Sequence, residues 1–295
     1  MRYIFILLIS SILFSCNFTQ SKSTGSNLSS KNDSAVDLVK VARMKLSNAI
    51  DYHKIVDKLD HGDLSSIDLA TKLFKNSVAD TIARDSMFVI FNDFYNTLAY
   101  SYLENNEVVS TQLQNSPSPE VLNKIKASLA NYGISLSSAE GTYYLEPQTE
   151  YLLTSFGPGL SSAYREYLTI GSKEQKSRFA EDGAILIPSD SLTARIMMWE
   201  SFIARYPDFI SIKVAQDQYA QYMGAFLAGM DNSRIFSPST NRLSDSSKVS
   251  FESFIVKNPE SKSAEVVKAY LEVLKSTNFN YTEKVDSFLL EKVYH

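Results

Sequence analysis

Apolar residues recur at intervals of three and four along most of the chain, which is the spacing of amphipathic helices. The pattern predicts helices over residues 35–59, 66–82, 87–103, 118–132, 161–170 and 173–180. The stripe within 87–103 is aromatic and predicts a buried core face; it consists of Phe88, Phe91, Phe94, Tyr95, Leu98 and Tyr102. Because alternating runs are scarce, the predicted fold class is all-α, an irregular array of helical hairpins.

Helix ends and turns carry their own signals. Ser118-Pro119-Glu120 predicts a helix start, with serine as the cap and proline in the first turn, and Gly133 predicts its end. Glycine and proline are frequent in residues 134–160, which predicts a loop or a short hairpin there. Asp182-Gly183 predicts a turn, and Ser189 or Ser191 is expected to cap the helix that carries Trp199.

A sequence pattern occurs twice near the C-terminus. The segment WESFIARYP at residues 199–207 begins again 52 residues later as FESFIVKNP at residues 251–259. A helix follows each proline, and this arrangement resembles the helical hairpins of tetratricopeptide-like bacterial lipoproteins. Their usual period is about 34 residues, so the insertion at 229–246 favours two hairpins with a loop excursion over a regular solenoid. Chance likeness between two amphipathic helix pairs is the alternative.

If the two copies are structural repeats, Phe202 and Phe254 should be equivalent core residues, each holding its helix against the helix that follows its proline. Each lies three residues after an aromatic position, Trp199 or Phe251, so each pair shares one helical face. Glu252 is expected to face solvent.

The N-terminus has the features of a targeting signal. Residues 1–15 combine Arg2 with an apolar run too short to span a membrane, which is typical of a secretory signal. Leu13-Phe14-Ser15-Cys16 follows and resembles the lipobox of bacterial lipoproteins, although Phe14 is bulkier than the usual residue. The resemblance implies cleavage before Cys16 and acylation of its thiol, which makes Cys16 a lipid anchor. An ordinary signal peptide with an incidental cysteine is the alternative.

The predicted domain organisation follows from this signal and from the position of Cys16. Residues 1–15 are the signal peptide, and 16–34 form a polar, lipidated tether. Residues 35–295 form one helical body, with N-terminal helices in 35–133, a loop-rich middle in 134–190 and the repeats in 191–295. Residues 17–20 lack the acidic side chains of surface-export signals in Bacteroidetes lipoproteins, so the resemblance implies an outer-membrane location facing the periplasm.

Composition narrows the function classes. The chain has 29 Lys and Arg and 33 Asp and Glu, so its net charge is −4. It lacks the excess of basic residues that is typical of proteins that bind nucleic acid. Cys16 is the single cysteine, which excludes a disulfide framework and cysteine-rich metal sites. His53, Asp57 and His61 share a four-residue spacing that can hold zinc, but a solvated helix face is the preferred interpretation. No cofactor is predicted.

The candidate ligand contacts lie around the 138–151 loop. Glu140 and Glu146 offer two carboxylates, Tyr143 and Tyr144 lie between them, and Trp199 is the single tryptophan. Paired carboxylates perform acid–base chemistry in glycoside hydrolases when a cleft fixes their separation. A plain connector loop is the alternative.

Asp33-Ser34-Ala35 resembles an O-glycan acceptor of exported Bacteroidetes proteins, which makes Ser34 a candidate modification site. Helix capping by Asp and Ser explains most patterns of this kind.

Two functions stay open at this stage. The first is a non-enzymatic, membrane-anchored periplasmic lipoprotein whose hairpins form an interaction scaffold for a protein partner in the cell envelope. The second is a secreted ligand-binding protein or carbohydrate-active enzyme with a site between the 138–151 loop and Trp199. A cleft with two opposed carboxylates beside Trp199 would favour the second function.

Overall fold

The computed structural model describes residues 44–139 and 141–294. The described chain is mostly helical, with twelve α-helices and three two-stranded hairpins, which confirms the all-α fold class. The helices are α1 (Ala49–Val56), α2 (Ser65–Lys75), α3 (Thr81–Asn105), α4 (Glu107–Gln114), α5 (Pro119–Ala130), α6 (Thr149–Phe156), α7 (Ser162–Gln175), α8 (Ser189–Arg205), α9 (Ile212–Ala228), α10 (Asp245–Lys257), α11 (Lys262–Ser276) and α12 (Glu283–Lys292). The strands are β1 (Ile134–Ala139), β2 (Thr142–Pro147), β3 (Ala180–Glu181), β4 (Ala184–Ile185), β5 (Gly229–Met230) and β6 (Ser233–Arg234).

The long helix α3 organises the N-terminal part. Its predicted aromatic stripe is buried throughout. The ring of Phe156, at the end of α6, lies 4.2 Å from that of Phe91 and 4.8 Å from that of Phe74. Aromatic packing therefore joins α2, α3 and α6 in one core.

Two predicted helix boundaries in this part were wrong. The helix expected over 66–82 ends at Lys75, because Asp80 starts a new helix: its extended backbone and its side chain, which accepts from the Ala83 amide, form the N-cap of α3. The helix expected to reach residue 59 ends at Val56. His61 consequently lies in a loop, where its ring meets Phe94 edge-on at 5.1 Å.

The predicted start of α5 is confirmed, since the Ser118 side chain accepts from the Val121 amide and Pro119 is the first helical residue. At Gly133 the backbone turns into the β1–β2 hairpin with a φ of +69°. A Cβ atom there would lie 2.1 Å from Cγ of Tyr151, so the position requires glycine.

The β1–β2 hairpin lies where the sequence predicted a loop or a short hairpin, within residues 134–160. Leu136 pairs with Leu145 and both are buried, whereas Ser135 pairs with Glu146 on the opposite face. Because side chains alternate along a strand, Tyr143 shares the core face with Leu145, and Tyr144 shares the other face with Glu146.

Beyond the hairpin, the two helices expected over 161–170 and 173–180 are one helix, α7, which passes through Gly171. Asp182-Gly183 forms the predicted turn, with positive φ at both residues, between β3 and β4. Neither Ser189 nor Ser191 caps α8. Pro188 occupies the cap position, and its ring carries no hydrogen-bond donor or acceptor.

The C-terminal part contains the two predicted hairpins, α8–α9 and α10–α11. Phe202 and Phe254 are 0% and 2% exposed, and the aromatic positions before them, Trp199 and Phe251, are equally buried. Phe202 packs its ring 6.2 Å from that of Tyr167 on α7, and Phe254 packs 5.3 Å from Phe226 on α9. Each phenylalanine therefore contacts the helix that precedes its own hairpin, as equivalent positions in a stack would.

One cluster of buried apolar side chains runs from Leu46 to Val293. Across residues 44–139 and 141–294, each helix is too short or too polar to cross a lipid bilayer.

Candidate functional site

Of the five predicted ligand contacts, Glu146 lines a cleft, and Trp199 is hydrogen-bonded to another residue of that cleft, Glu174. Tyr144 contacts Arg178, a partner of Glu146, whereas Tyr143 packs against the hydrophobic core, and Glu140 lies outside the described residues. Cys16 and Ser34 also lie outside the described residues.

Glu146 lines a cleft of about 400 Å³ between the β1–β2 hairpin, the end of α7 and the first C-terminal hairpin. The wall on the strand side consists of Ser135, Glu146 and Gln148, and the opposite wall includes Glu174, Arg178, Arg195 and Tyr222. Two carboxylates and two guanidinium groups therefore share the cleft, and their formal charges cancel.

Glu174 is the most enclosed acid of the cleft. One carboxylate oxygen accepts from Nε1 of Trp199 at 3.0 Å, and the other accepts from the hydroxyl of Tyr222 at 3.0 Å. Arg195, whose side chain is 8% exposed, lies with its Nε 3.9 Å from the carboxylate. Trp199 thus stands behind the wall of the cleft and touches it through Glu174.

Arg195 extends the network to the backbone. It donates from Nη1 to the Tyr222 hydroxyl at 3.0 Å and from Nη2 to the carbonyl oxygen of Ser177. A guanidinium group presents five donors in a fixed plane, so it can hold the loop after α7 and a tyrosine of α9 at once. The network joins α7, α8 and α9.

Burial sets the protonation of these groups. Loss of hydration raises the pKa of Glu174 above its ordinary value, while the charge of Arg195 and the hydrogen bonds from Trp199 and Tyr222 oppose part of that rise. Burial also raises the pKa of Tyr222, so its hydroxyl stays protonated and donates a hydrogen bond to Glu174.

Glu146 occupies the more open rim. Arg178 donates to it at 3.0 Å, and the Ser137 hydroxyl donates to its other oxygen. Arg178 also reaches the hydroxyl of Tyr144 at 3.4 Å and lies 3.4 Å from Glu181. The rim is a surface ion-pair network, and its members are more exposed than Arg195 and Glu174.

The arrangement has defined chemical capacities. Glu174 is a shielded acid with a raised pKa, and Glu146 is a more exposed carboxylate paired with Arg178, so the cleft holds two carboxyl groups in different surroundings. Both oxygens of Glu174 already accept hydrogen bonds, however, and Glu146 is likewise engaged. A ligand hydroxyl would have to displace these partners to reach either carboxylate.

Sequence reasoning missed Glu174, Arg178, Arg195 and Tyr222. One signal was present for Arg195, which interrupts an apolar helical stripe formed by Leu192, Ile196 and Trp199. A charged residue on a buried face requires partners, which makes it a marker of a polar network.

The histidine constellation does not form a site in the structure. His53 lies in α1, Asp57 caps it, and His61 lies beyond it. Within residues 44–139 and 141–294, no group of three or more potential ligands is placed to hold a metal ion.

The two C-terminal hairpins are joined by a specific contact. Glu200 of α8 accepts hydrogen bonds at 2.9 Å from the backbone amides of Lys262 and Ser263, one on each carboxylate oxygen. The Ser263 hydroxyl donates to the same carboxylate. A negative side chain in the first hairpin thereby satisfies the free amides at the N-terminus of α11 in the second.

No family model, curated protein or solved structure has significant similarity to this chain.

Proposed function

We propose that the protein is a lipid-anchored component of the bacterial cell envelope whose helical hairpins act as an interaction scaffold in the periplasm. The observation that supports this most is the pair of matched hairpins, which bury aromatic residues at equivalent positions and are linked through Glu200. Stacked helical hairpins generate extended surfaces for protein partners.

The polar groups of the cleft also favour a scaffold over an enzyme. The oxygens of Glu174 and Glu146 are engaged in contacts that join separate elements of the fold. These contacts join the β1–β2 hairpin to the loop after α7, and α7 to the first C-terminal hairpin.

The scaffold proposal is tested by crosslinking the envelope of the producing bacterium and recovering the protein with its neighbours. A defined protein should be recovered with this chain and should be absent from the same experiment on an unrelated lipoprotein. Recovery of the same proteins with both baits would contradict the proposal.

The anchor rests on the lipobox-like segment and has a separate test. Cys16→Ala should abolish labelling by an alkyne fatty acid and leave an unprocessed precursor, whereas Ser21→Ala should leave both unchanged. Normal acylation of the Cys16→Ala chain would end the lipoprotein proposal.

A second candidate function is favoured by one observation: Glu146 and Glu174 line the same cleft beside Trp199, in different electrostatic environments. We propose on this basis that the cleft binds and hydrolyses a carbohydrate. Hydrolysis of 4-nitrophenyl glycosides should then be lost in Glu174→Gln and Glu146→Gln and kept in Glu265→Gln, which alters an exposed acid. Equal rates in all four chains, or none above background, would remove this candidate.

A further inference from the structure

The outer face of α10 corresponds to a face of α8 whose glutamate is bound by α11. Residues 249, 252 and 256 lie on one side of α10 because they are three and four positions apart. Val249 is 63% exposed, Val256 is 79% exposed, and Glu252 between them is exposed as well. We call Val249, Glu252 and Val256 the outer face of α10.

The repeat assigns each of these residues a partner on α8. Glu252 corresponds to Glu200, Val249 to Met197, which packs against the hydrophobic core, and Val256 to Ala204, which is exposed. On α8, the glutamate of this face binds the first turn of α11. In the part of the chain that the structure describes, the Glu252 carboxylate has no hydrogen-bond or salt-bridge partner.

From this correspondence, which rests on the scaffold function proposed above, we infer that the outer face of α10 binds the N-terminal turn of a helix in a partner protein. The geometry required of that helix is the one that α11 presents to α8: two free backbone amides and a serine or threonine hydroxyl directed at a carboxylate.

Charge and shape favour this occupant. The first turn of a helix carries unsatisfied amides and the positive end of the helix dipole, and hydrogen bonds from amides to a carboxylate are stronger than neutral ones. Val249 and Val256 flank the carboxylate with apolar surface, which an apolar side chain of the partner helix can cover. The helix that performs this role inside the chain, α11, is already bound to Glu200.

The test uses a peptide with the sequence of residues 258–276, stapled into a helix on its outer side and labelled at its C-terminus. Its binding to the full chain in detergent is followed by fluorescence anisotropy. Saturable binding is expected, weakened at least tenfold by Glu252→Gln and by Val256→Asp. Glu265→Gln, an exposed acid on α11, is the matched control and should bind as the unaltered chain does.

The peptide provides a second control, since replacing its Ser263 equivalent with alanine should weaken binding several-fold. Circular dichroism should show the same helix content in all variants, because Glu252 and Val256 are exposed. Absence of saturable binding, or equal binding by all variants, would overturn the inference. So would a dimer of the chain that Val256→Asp dissociates, since the occupant would then be a second copy.

The outcome is separable from that of the scaffold proposal. If the crosslinked envelope partner persists in Glu252→Gln and Val256→Asp while the peptide fails to bind, the scaffold stands and this face is not its interface. If the peptide binds as expected but no specific envelope partner is recovered, the scaffold proposal fails and the face keeps its binding property.

Discussion

The hairpins α8–α9 and α10–α11 share a sequence pattern and a core but differ in what surrounds them. Phe202 and Phe254 are buried alike. In the first hairpin, Arg195 and Trp199 take part in a polar network with Glu174, whereas the second hairpin has Ser247 and Phe251 at the matching positions. The repeated residues thus specify the hairpin, and the differing residues specify its neighbours.

The same distinction applies on the outer side. Glu200 and Glu252 occupy matching positions, yet Glu200 binds the start of α11 and Glu252 is exposed. Glutamate at equivalent helical positions therefore has two roles, and the presence or absence of a helix N-terminus packed against it decides which. Three changes test this comparison, beginning with the largest expected effect.

Loss of either core phenylalanine should destabilise the protein strongly and to a similar extent. Phe202→Ala and Phe254→Ala each remove a fully buried ring, which typically costs about 3 to 5 kcal/mol of unfolding free energy. Chemical denaturation of both variants measures the loss. Tolerance of either replacement would show that the two segments are not equivalent repeats.

Replacing the two matching glutamates should have clearly different effects on the unfolding free energy. Glu200→Ala leaves the amides of Lys262 and Ser263 without their acceptor, so it should lower the unfolding free energy by about 1 to 3 kcal/mol. Glu252→Ala alters an exposed side chain and should change it by less than about 0.5 kcal/mol. Equal effects in the same denaturation assay would mean that the hairpins are not joined as described.

The polar network between α7 and the first hairpin predicts a pH effect that depends on Glu174. The pKa of Glu174 is raised in the folded protein, so the folded state holds this proton more tightly than the unfolded state. The contribution of Glu174 to stability should therefore fall as pH rises from about the ordinary glutamate value through the raised one. The unfolding free energy of the natural chain minus that of Glu174→Gln, measured against pH, should decrease across this range. A difference that increases with pH would contradict the raised pKa.

Local features were predictable because their causes lie within a few residues. The Ser118 cap, the Asp182-Gly183 turn and the aromatic stripe of α3 all depend on spacing along one element, and the structure confirms them. Helix ends were less predictable, as the division between α2 and α3 at Asp80 illustrates. An aspartate can cap a helix or lie within one, and the residues around Asp80 do not distinguish the two.

The cleft was only partly predictable. Glu146 stood out within the 138–151 loop and Trp199 as the single tryptophan, but Glu174 lies within an ordinary helical pattern 25 residues before its partner Trp199. Its role arises from the packing of α7 against α8, and helical periodicity says nothing about which helices pack together. The charged residue within the apolar stripe of α8 was the single local sign of the network.

The most direct measurement is a pair of double-mutant cycles that compares Glu200 with Glu252. In the first cycle, Glu200→Ala and Ser263→Ala are combined, and in the second, Glu252→Ala and Ser263→Ala. Residues in one hydrogen-bonded network couple by about 0.5 to 3 kcal/mol, whereas separated residues are additive. The structure predicts coupling within that range in the first cycle and none in the second. Equal coupling energies in the two cycles would contradict the specific link between the hairpins.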